Sequence, residues 1–189
     1  MTFETDIRNA VNAMRNGGII LYPTDTVWGI GCDATNEEAV AKVYEMKKRN
    51  DSKALICLVD SDVRMQRYVR NVPDVAWDIM ELSDKPTTLI LDNAVNLAKN
   101  MIAEDGSIAM RITREAFSKE LCYRFQKPIV STSVNISGEP AAQNYCDINP
   151  ELIKAADYVC WTRRQEHKPH KPSSIIKLTA DGVVTIIRP

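Results

Sequence analysis

Three short stretches hold most of the side chains that could do chemistry. Residues 23–33, Pro-Thr-Asp-Thr-Val-Trp-Gly-Ile-Gly-Cys-Asp, directly follow the apolar run Ile19-Ile20-Leu21-Tyr22. A buried strand is therefore expected to enter a loop with two threonine hydroxyls, a carboxylate and two glycines. Loops at strand ends commonly bind ligands, because a rigid sheet holds them and their backbone is free to meet a small molecule. Gly29 and Gly31 are expected to permit a sharp turn or a close approach to a ligand. By itself the stretch also reads as an ordinary hairpin or strand-to-helix turn.

The second stretch is Lys47-Lys48-Arg49-Asn50-Asp51-Ser52-Lys53-Ala54-Leu55. Asn36 followed by Glu37 and Glu38 reads as a capped helix start, and Ala39, Val40, Val43 and Met46 recur at helical spacing. Lys47, Lys48 and Arg49 then fall at the helix C-terminus, where cations complement the dipole. Lys53 lies beyond that reach, in the loop before the apolar run 54–59. Four cations at a helix-to-strand junction suit a phosphate group, with arginine offering a fork of donors and lysine a mobile charge. The third stretch, residues 128–140, is a short apolar strand ending in Ser131-Thr132-Ser133-Val134-Asn135, then a Gly138/Pro140 turn. Such residues often bond their own backbone in solvated turns. Two strand ends with the same chemistry suggest a polar pocket that reads a small multifunctional ligand.

Pro23 to Asp33, the Lys-x-Arg at 47 and 49 with Lys53, and the Ser-x-Asn at 133 and 135 resemble the YrdC/Sua5 family of L-threonylcarbamoyladenylate synthases. The segments 108–112, 172–176 and 185–188 are similar to further strands of that family, so the resemblance runs in order from about residue 5 to residue 188. It implies a YrdC-like α/β fold: a twisted mixed parallel and antiparallel sheet flanked by helices around a concave pocket. It implies a nucleotidyltransferase that makes threonylcarbamoyl-AMP and pyrophosphate from L-threonine, bicarbonate or carbon dioxide, and ATP with its Mg²⁺, and needs no prosthetic group. A partner threonylcarbamoyl transferase complex would then modify tRNA. By the same resemblance, Thr26, Arg111, Ser131 and Thr132 hold threonine, while Arg49, Lys53, Ser107, Ser133, Asn135, Ser173 and Arg188 face the nucleotide. Lys47, Arg49 and Arg111 would position the reactants, with no side-chain nucleophile: the threonine amine attacks carbon dioxide or bicarbonate, and the resulting carbamate attacks the α-phosphorus. The chain departs from the family at Trp28, where tyrosine is usual, at Ala54, where proline is usual, and at Leu58, where some members have a histidine. Its end at Pro189 resembles the short single-domain form, so residues 1–189 are expected to make one YrdC-like domain.

Composition narrows the alternatives. With 24 basic and 25 acidic residues the net charge is −1, and the pI is near 6.2. That balance argues against polyanion binding as the main task, although a maturation factor contacting tRNA, rRNA or other double-stranded RNA without turnover is the alternative reading. No apolar run approaches the ~20 residues of a membrane span. The first residues lack a basic start and apolar run of a signal peptide, so a cytoplasmic location is expected. The five cysteines form no Cys-x-x-Cys, and Cys57 and Cys160 lie in apolar runs that suit buried thiols. His167 and His170 have no neighbouring set of ligands in sequence, and no Walker-type phosphate loop is present.

The elements that must position these residues follow an α/β order. A helix is expected over 5–16, stopped by Gly17-Gly18, with Ile7, Ala10, Val11 and Met14 inward. Helices near 61–70 and 73–82 follow the strand at 54–59; Arg64, Arg67 and Arg70 would form one solvated cationic face on the first. Strands at 87–91 and 107–112, a helix at 114–126, a strand at 128–132 and a helix over 147–156 come next. After Tyr158–Trp161, the last strands near 173–178 and 182–188 have a short connection and should pair antiparallel. Residues 162–172, locally basic and with two prolines, read as a solvated loop or as a lid leading to Ser173.

Overall fold

The computed structural model describes residues 1–48, 55–168 and 171–189. Helix α1 (Phe3–Arg15) starts at Thr2, whose hydroxyl accepts from the Thr5 N–H, and carries Glu4 and Asp6 in its first turn. It stops where expected. Gly17 takes φ 73°, and the Gly17 and Gly18 amides donate to the carbonyls of Met14 and Ala13. Helix α2 (Glu37–Met46) is capped by Asn36, and α5 (Ala116–Phe125) by the Glu115 carboxylate, which accepts from the Phe117 and Ser118 amides. Two shorter helices, α3 (Asp62–Met65) and α4 (Val75–Leu82), follow strand β3, and α6 (Pro150–Ala155) precedes β7.

Nine strands join one sheet: β1 (Ile20–Tyr22), β2 (Gly29–Gly31), β3 (Ile56–Val59), β4 (Thr87–Leu91), β5 (Ile108–Ile112), β6 (Ile129–Ser133), β7 (Tyr158–Val159), β8 (Ser174–Leu178) and β9 (Val184–Arg188). Their order across the sheet is β7-β1-β2-β6-β3-β5-β4-β8-β9. β1/β7, β3/β5 and β4/β8 pair in parallel; the other five neighbouring pairs are antiparallel, including β8/β9. The mixed, helix-flanked sheet expected from the sequence is the observed architecture. Among the described residues no helix is long and apolar enough to cross a membrane.

Alternation along the strands explains where the site can form. One face of the sheet is apolar along its length: Leu21, Ile30, Val130, Cys57, Met110, Leu89 and Leu178 pack with residues of α2, α3 and α4. The other face is apolar only where α1 and α5 cover it, through Ile20, Tyr22, Ile129 and Leu58 against Ile7, Val11, Phe117 and Leu121. Further along that face β6 and its neighbours β5 and β4 carry Ser131, Arg111 and Thr88. The uncovered part of the face is the cleft.

Three expectations need correction. The segment near 61–70 is not one helix: α3 spans four residues. Arg64 is not part of a solvated stripe but is buried, with Nε 3.0 Å from Asp60 Oδ1 and Nη1 donating to the Gln126 carbonyl. Gly29 and Gly31 do not form a turn; both lie in β2, beneath the ring of Tyr22. A Cβ at Gly31 would come within 2.6 Å of Tyr22 Cε1, and one at Gly29 within 3.1 Å. The glycines let a buried tyrosine lie flat against a neighbouring strand, and the Tyr22 hydroxyl donates to the Val130 carbonyl at 3.1 Å. Cys57 and Cys160 are buried free thiols, as expected.

Candidate functional site

A cleft of about 370 Å³ opens on the uncovered face. Its walls come from the β1–β2 loop and the start of β2 (Thr26, Val27, Trp28, Gly29), the start of β3 (Leu55, Ile56) and Arg111 of β5. The end of β6 and its following turn add Ser131, Thr132, Ser133, Asn135 and Glu139; Pro172 and Ser173 come from the lead into β8, Ile175 from β8 and Arg188 from β9. The two hydroxyl-rich strand ends therefore meet, as the sequence suggested. They do so because β2 and β6 are antiparallel neighbours, with Gly29 opposite Ser133 and Ile30 opposite Thr132.

Arg111 lines the cleft and is 2% exposed. Its Nη2 lies 2.9 Å from Asp25 Oδ1 and donates to Thr26 Oγ1 at 3.3 Å; Nη1 donates to Thr88 Oγ1 at 3.4 Å. Its Nε is buried with no hydrogen-bond partner. A buried guanidinium N–H left unpaired is costly, of the order of 1–3 kcal/mol. Thr88 Oγ1 and Ser173 Oγ share a hydrogen bond of 2.8 Å, and Arg188 Nη2 reaches Ser173 Oγ at 3.4 Å while Nε donates to the Ser173 carbonyl. Two hydroxyls thus bridge two arginines. Partial burial, and next the nearby Arg111 charge, hold the Arg188 pKa below the ordinary arginine value. Like charges placed together favour an anionic occupant between them.

The candidate residues occupy varied positions. Thr26, Arg111, Ser131, Ser133, Asn135, Ser173 and Arg188 line the cleft. Thr132 also contributes to its wall, but neighbouring strand residues point to opposite faces. Ser131 pairs with Ile56 on the Arg111 face, whereas Thr132 pairs with Ile30 on the other. The two hydroxyls therefore cannot act as a side-by-side pair. Ser107 is not among the lining residues; it is buried at the turn before β5, and its amide donates to Asp105 Oδ1. Arg49 and Lys53, and the departure at Ala54, lie outside the described residues. Leu58 pairs with Arg111 in register but packs wholly into the core beneath α1 and α5.

Lys47 has a different task from the one its position at a helix end suggests. It is 2% exposed, and its Nζ donates to the carbonyls of Ser133 and Asn135 and to Asn135 Oδ1. The Lys47 carbonyl in turn accepts from the Ser137 amide at 2.9 Å. Asn135 Nδ2 donates to the carbonyls of Ile136 and Glu139, and Ser133 Oγ donates to Asn135 Oδ1. The Lys-x-Arg and Ser-x-Asn stretches are thus physically joined, with Lys47 fixing the turn that presents Ser133 and Asn135.

Sequence reasoning missed Thr88 and undervalued Asp25. A threonine pair at 87–88 in an otherwise apolar strand was the available signal for Thr88. The 162–172 segment is anchored at its start: Asp6, fully buried in α1, accepts from the Tyr158 hydroxyl, both the Trp161 and Thr162 amides, and the Thr162 hydroxyl. Arg163 Nη1 donates to the Thr24 carbonyl at 2.8 Å, and the Arg164 guanidinium sits 4.7 Å over Tyr145 and 4.9 Å over Trp161. Among the described residues no group of three or more His, Cys, Asp or Glu side chains is placed to hold a metal ion.

A buried arginine, a second guanidinium beside it and a ring of hydroxyls on a mixed α/β sheet define a small-molecule anion cleft. The profile of the Sua5/YciO/YrdC family, described as Telomere recombination, matches residues 12–189, and the chain belongs to that family. It is 32% identical over 161 residues to the threonylcarbamoyl-AMP synthase of Pseudoalteromonas translucida (strain TAC 125), covering 84% of this chain and 86% of that protein. E. coli YciO superposes with a TM-score of 0.85 at 23% identity, over 99% of this chain and 89% of that one. P. abyssi Sua5, solved in complex with L-threonine, superposes with a TM-score of 0.81 at 23% identity. That match covers 91% of this chain and only 50% of the P. abyssi chain. The two structural likenesses concern the fold.

Proposed function

We propose that this protein is a threonylcarbamoyl-AMP synthase, condensing L-threonine, bicarbonate or carbon dioxide, and ATP with release of pyrophosphate. The observation that carries this reading is the unpartnered Nε of buried Arg111 in a hydroxyl-lined cleft that also holds Arg188. Arg111 receives the threonine carboxylate, while Thr26 and Ser131 are placed to read its side chain. The nucleotide lies toward Ser133, Asn135, Ser173 and Arg188, with Arg49 and Lys53 assigned to its phosphates on the family resemblance.

Chemistry follows from that arrangement. With its own carboxylate held by Arg111, threonine presents its amine to carbon dioxide, forming a carbamate and losing a proton. The carbamate oxygen attacks the α-phosphorus and pyrophosphate leaves. No side chain need form a covalent intermediate; holding the reactants in line and offsetting phosphate charge supplies the acceleration. Among the described lining residues Glu139 is the one carboxylate. On the family resemblance, Mg²⁺ enters as part of the MgATP substrate. Transfer of the product's threonylcarbamoyl group to tRNA by a partner transferase in the cytoplasm completes the reading. An RNA-binding role without turnover is less well supported, because the net charge of −1 offers little general attraction to a polyanion.

The test is pyrophosphate release by the purified protein. Release that requires threonine, bicarbonate and ATP together is expected; release independent of threonine, or none at all, would overturn the assignment.

A further inference from the structure

One charged residue next to Arg111 has no part in the reaction as described. Asp25 sits in the β1–β2 loop with its Oδ1 2.9 Å from Arg111 Nη2, the two side chains 11% and 3% exposed. It does not line the substrate cleft. It faces a second cavity of about 550 Å³, where Asp60, Trp77, Met80 and Arg114 are among its neighbours. Asp25 and Arg111 therefore form the partition between two cavities, each side chain presented to a different one.

We propose that Asp25 is a positioning residue, holding the Arg111 guanidinium from behind so that Nε points at the carboxylate of the amino acid. This rests on the threonine assignment made for the cleft. The other two restraints on the guanidinium are neutral hydroxyls at 3.3 and 3.4 Å, long for hydrogen bonds, so the carboxylate at 2.9 Å is the dominant one. The contact is an ion pair and not a well-aligned hydrogen bond, which lets the guanidinium keep its donors for a ligand.

A rival account makes Asp25 a simple charge compensator for a buried cation. The two accounts differ in sign. A compensator weakens the positive potential that an anion meets, so removing its charge would tighten threonine binding. Removing a positioning residue loosens the fork and weakens binding. The charged and titratable groups facing Asp25 are Arg111 on β5, Glu115 at the start of α5, Tyr22 on β1 and Cys122 on α5, with Asp60 and Arg114 across the second cavity. Glu115 has its own partner, Arg163, at 3.5 Å. Burial raises the Asp25 carboxyl above the ordinary carboxylate value, and Arg111 opposes this.

The experiment is steady-state pyrophosphate release by wild type, Asp25→Asn and Asp25→Glu across the acid range. For Asp25→Asn the threonine KM should rise on the order of tenfold while the ATP KM stays within about twofold. Wild-type kcat/KM for threonine should fall on the acid side, and the asparagine variant should lack that limb. Asp25→Glu, with a longer arm, should keep the acid limb yet raise the threonine KM, which keeps the proposal testable if the asparagine variant does not fold. An unchanged or lowered threonine KM in a folded variant, or an acid limb retained in Asp25→Asn, overturns it. If wild type itself shows no threonine-dependent release, the functional reading fails first; if wild type is active and the variants match it, only the role of Asp25 fails.

Discussion

Arg111→Lys separates the geometry of the cleft from its charge. Lysine keeps one positive charge on this strand but replaces a planar five-donor fork by a single ammonium. In the wild type the guanidinium touches Asp25, Thr26 and Thr88 at 2.9, 3.3 and 3.4 Å, and its Nε is buried without a partner. An ammonium can keep the Asp25 contact but cannot at once span Thr26, Thr88 and a ligand carboxylate. Loss of one charge-assisted hydrogen bond to the ligand is worth roughly 1.5–3 kcal/mol. At about 1.4 kcal/mol per factor of ten, that raises the threonine KM on the order of tenfold to a hundredfold. The ATP KM should change by less than about threefold, because Arg188, Ser133 and Asn135 are untouched. Pyrophosphate release measured with threonine varied at saturating ATP, then the reverse, reads both constants. A raised ATP KM with an unchanged threonine KM would refute the reasoning and move Arg111 to the nucleotide side.

Other outcomes follow from the same contacts. Gly31→Ala would push a methyl within 2.6 Å of a fully buried ring tethered through its hydroxyl; such overpacking costs about 1–3 kcal/mol, so the Tm should fall by several degrees, and an unchanged Tm would mean the strands can slide apart. Lys47→Met removes the ammonium that ties the Ser133 and Asn135 carbonyls and Asn135 Oδ1 together, and leaves the Asn135 carbonyl without that donor. A Tm loss together with a raised ATP KM is expected, whereas lost turnover with both unchanged would place Lys47 on the reacting atoms. Because burial raises the Asp25 carboxyl, its contribution to stability is complete below the ordinary carboxylate value and is lost as pH rises through the raised one. The Tm of Asp25→Asn minus that of wild type should therefore fall as pH is lowered, and a difference that grows toward acid would contradict the direction of the shift.

What could be read from the sequence was what short-range physics controls. Asn36 and the Gly17-Gly18 pair mark helix ends because caps and left-handed turns depend on a few neighbouring residues. The Ser131–Ser133 strand end was recognisable from its hydroxyls, and strict alternation would have separated Ser131 from Thr132. Other features depended on partners distant in sequence. Arg64 is held inside by Asp60, four positions away, and by Gln126, 62 positions away; Lys47 is held by Ser133 and Asn135, 86 and 88 positions away. The distant partners cannot be inferred from spacing, so both cations read as solvent-facing or as dipole partners. Gly29 and Gly31 resembled turn glycines because the ring they accommodate belongs to the adjacent strand. The cleft itself arises from what α1 and α5 leave uncovered, a property of packing and not of any local segment.

The central claim is that the carbamate of threonine, and not its own carboxylate, attacks ATP. The most direct measurement is mass spectrometry of the adenylate formed from threonine, ATP and ¹³C-bicarbonate. Threonylcarbamoyl-AMP carrying one heavy carbon from bicarbonate is the result this account predicts. Pyrophosphate release accompanied by unlabelled threonyl-AMP would contradict it, because the carboxylate assigned to Arg111 would then have been the nucleophile.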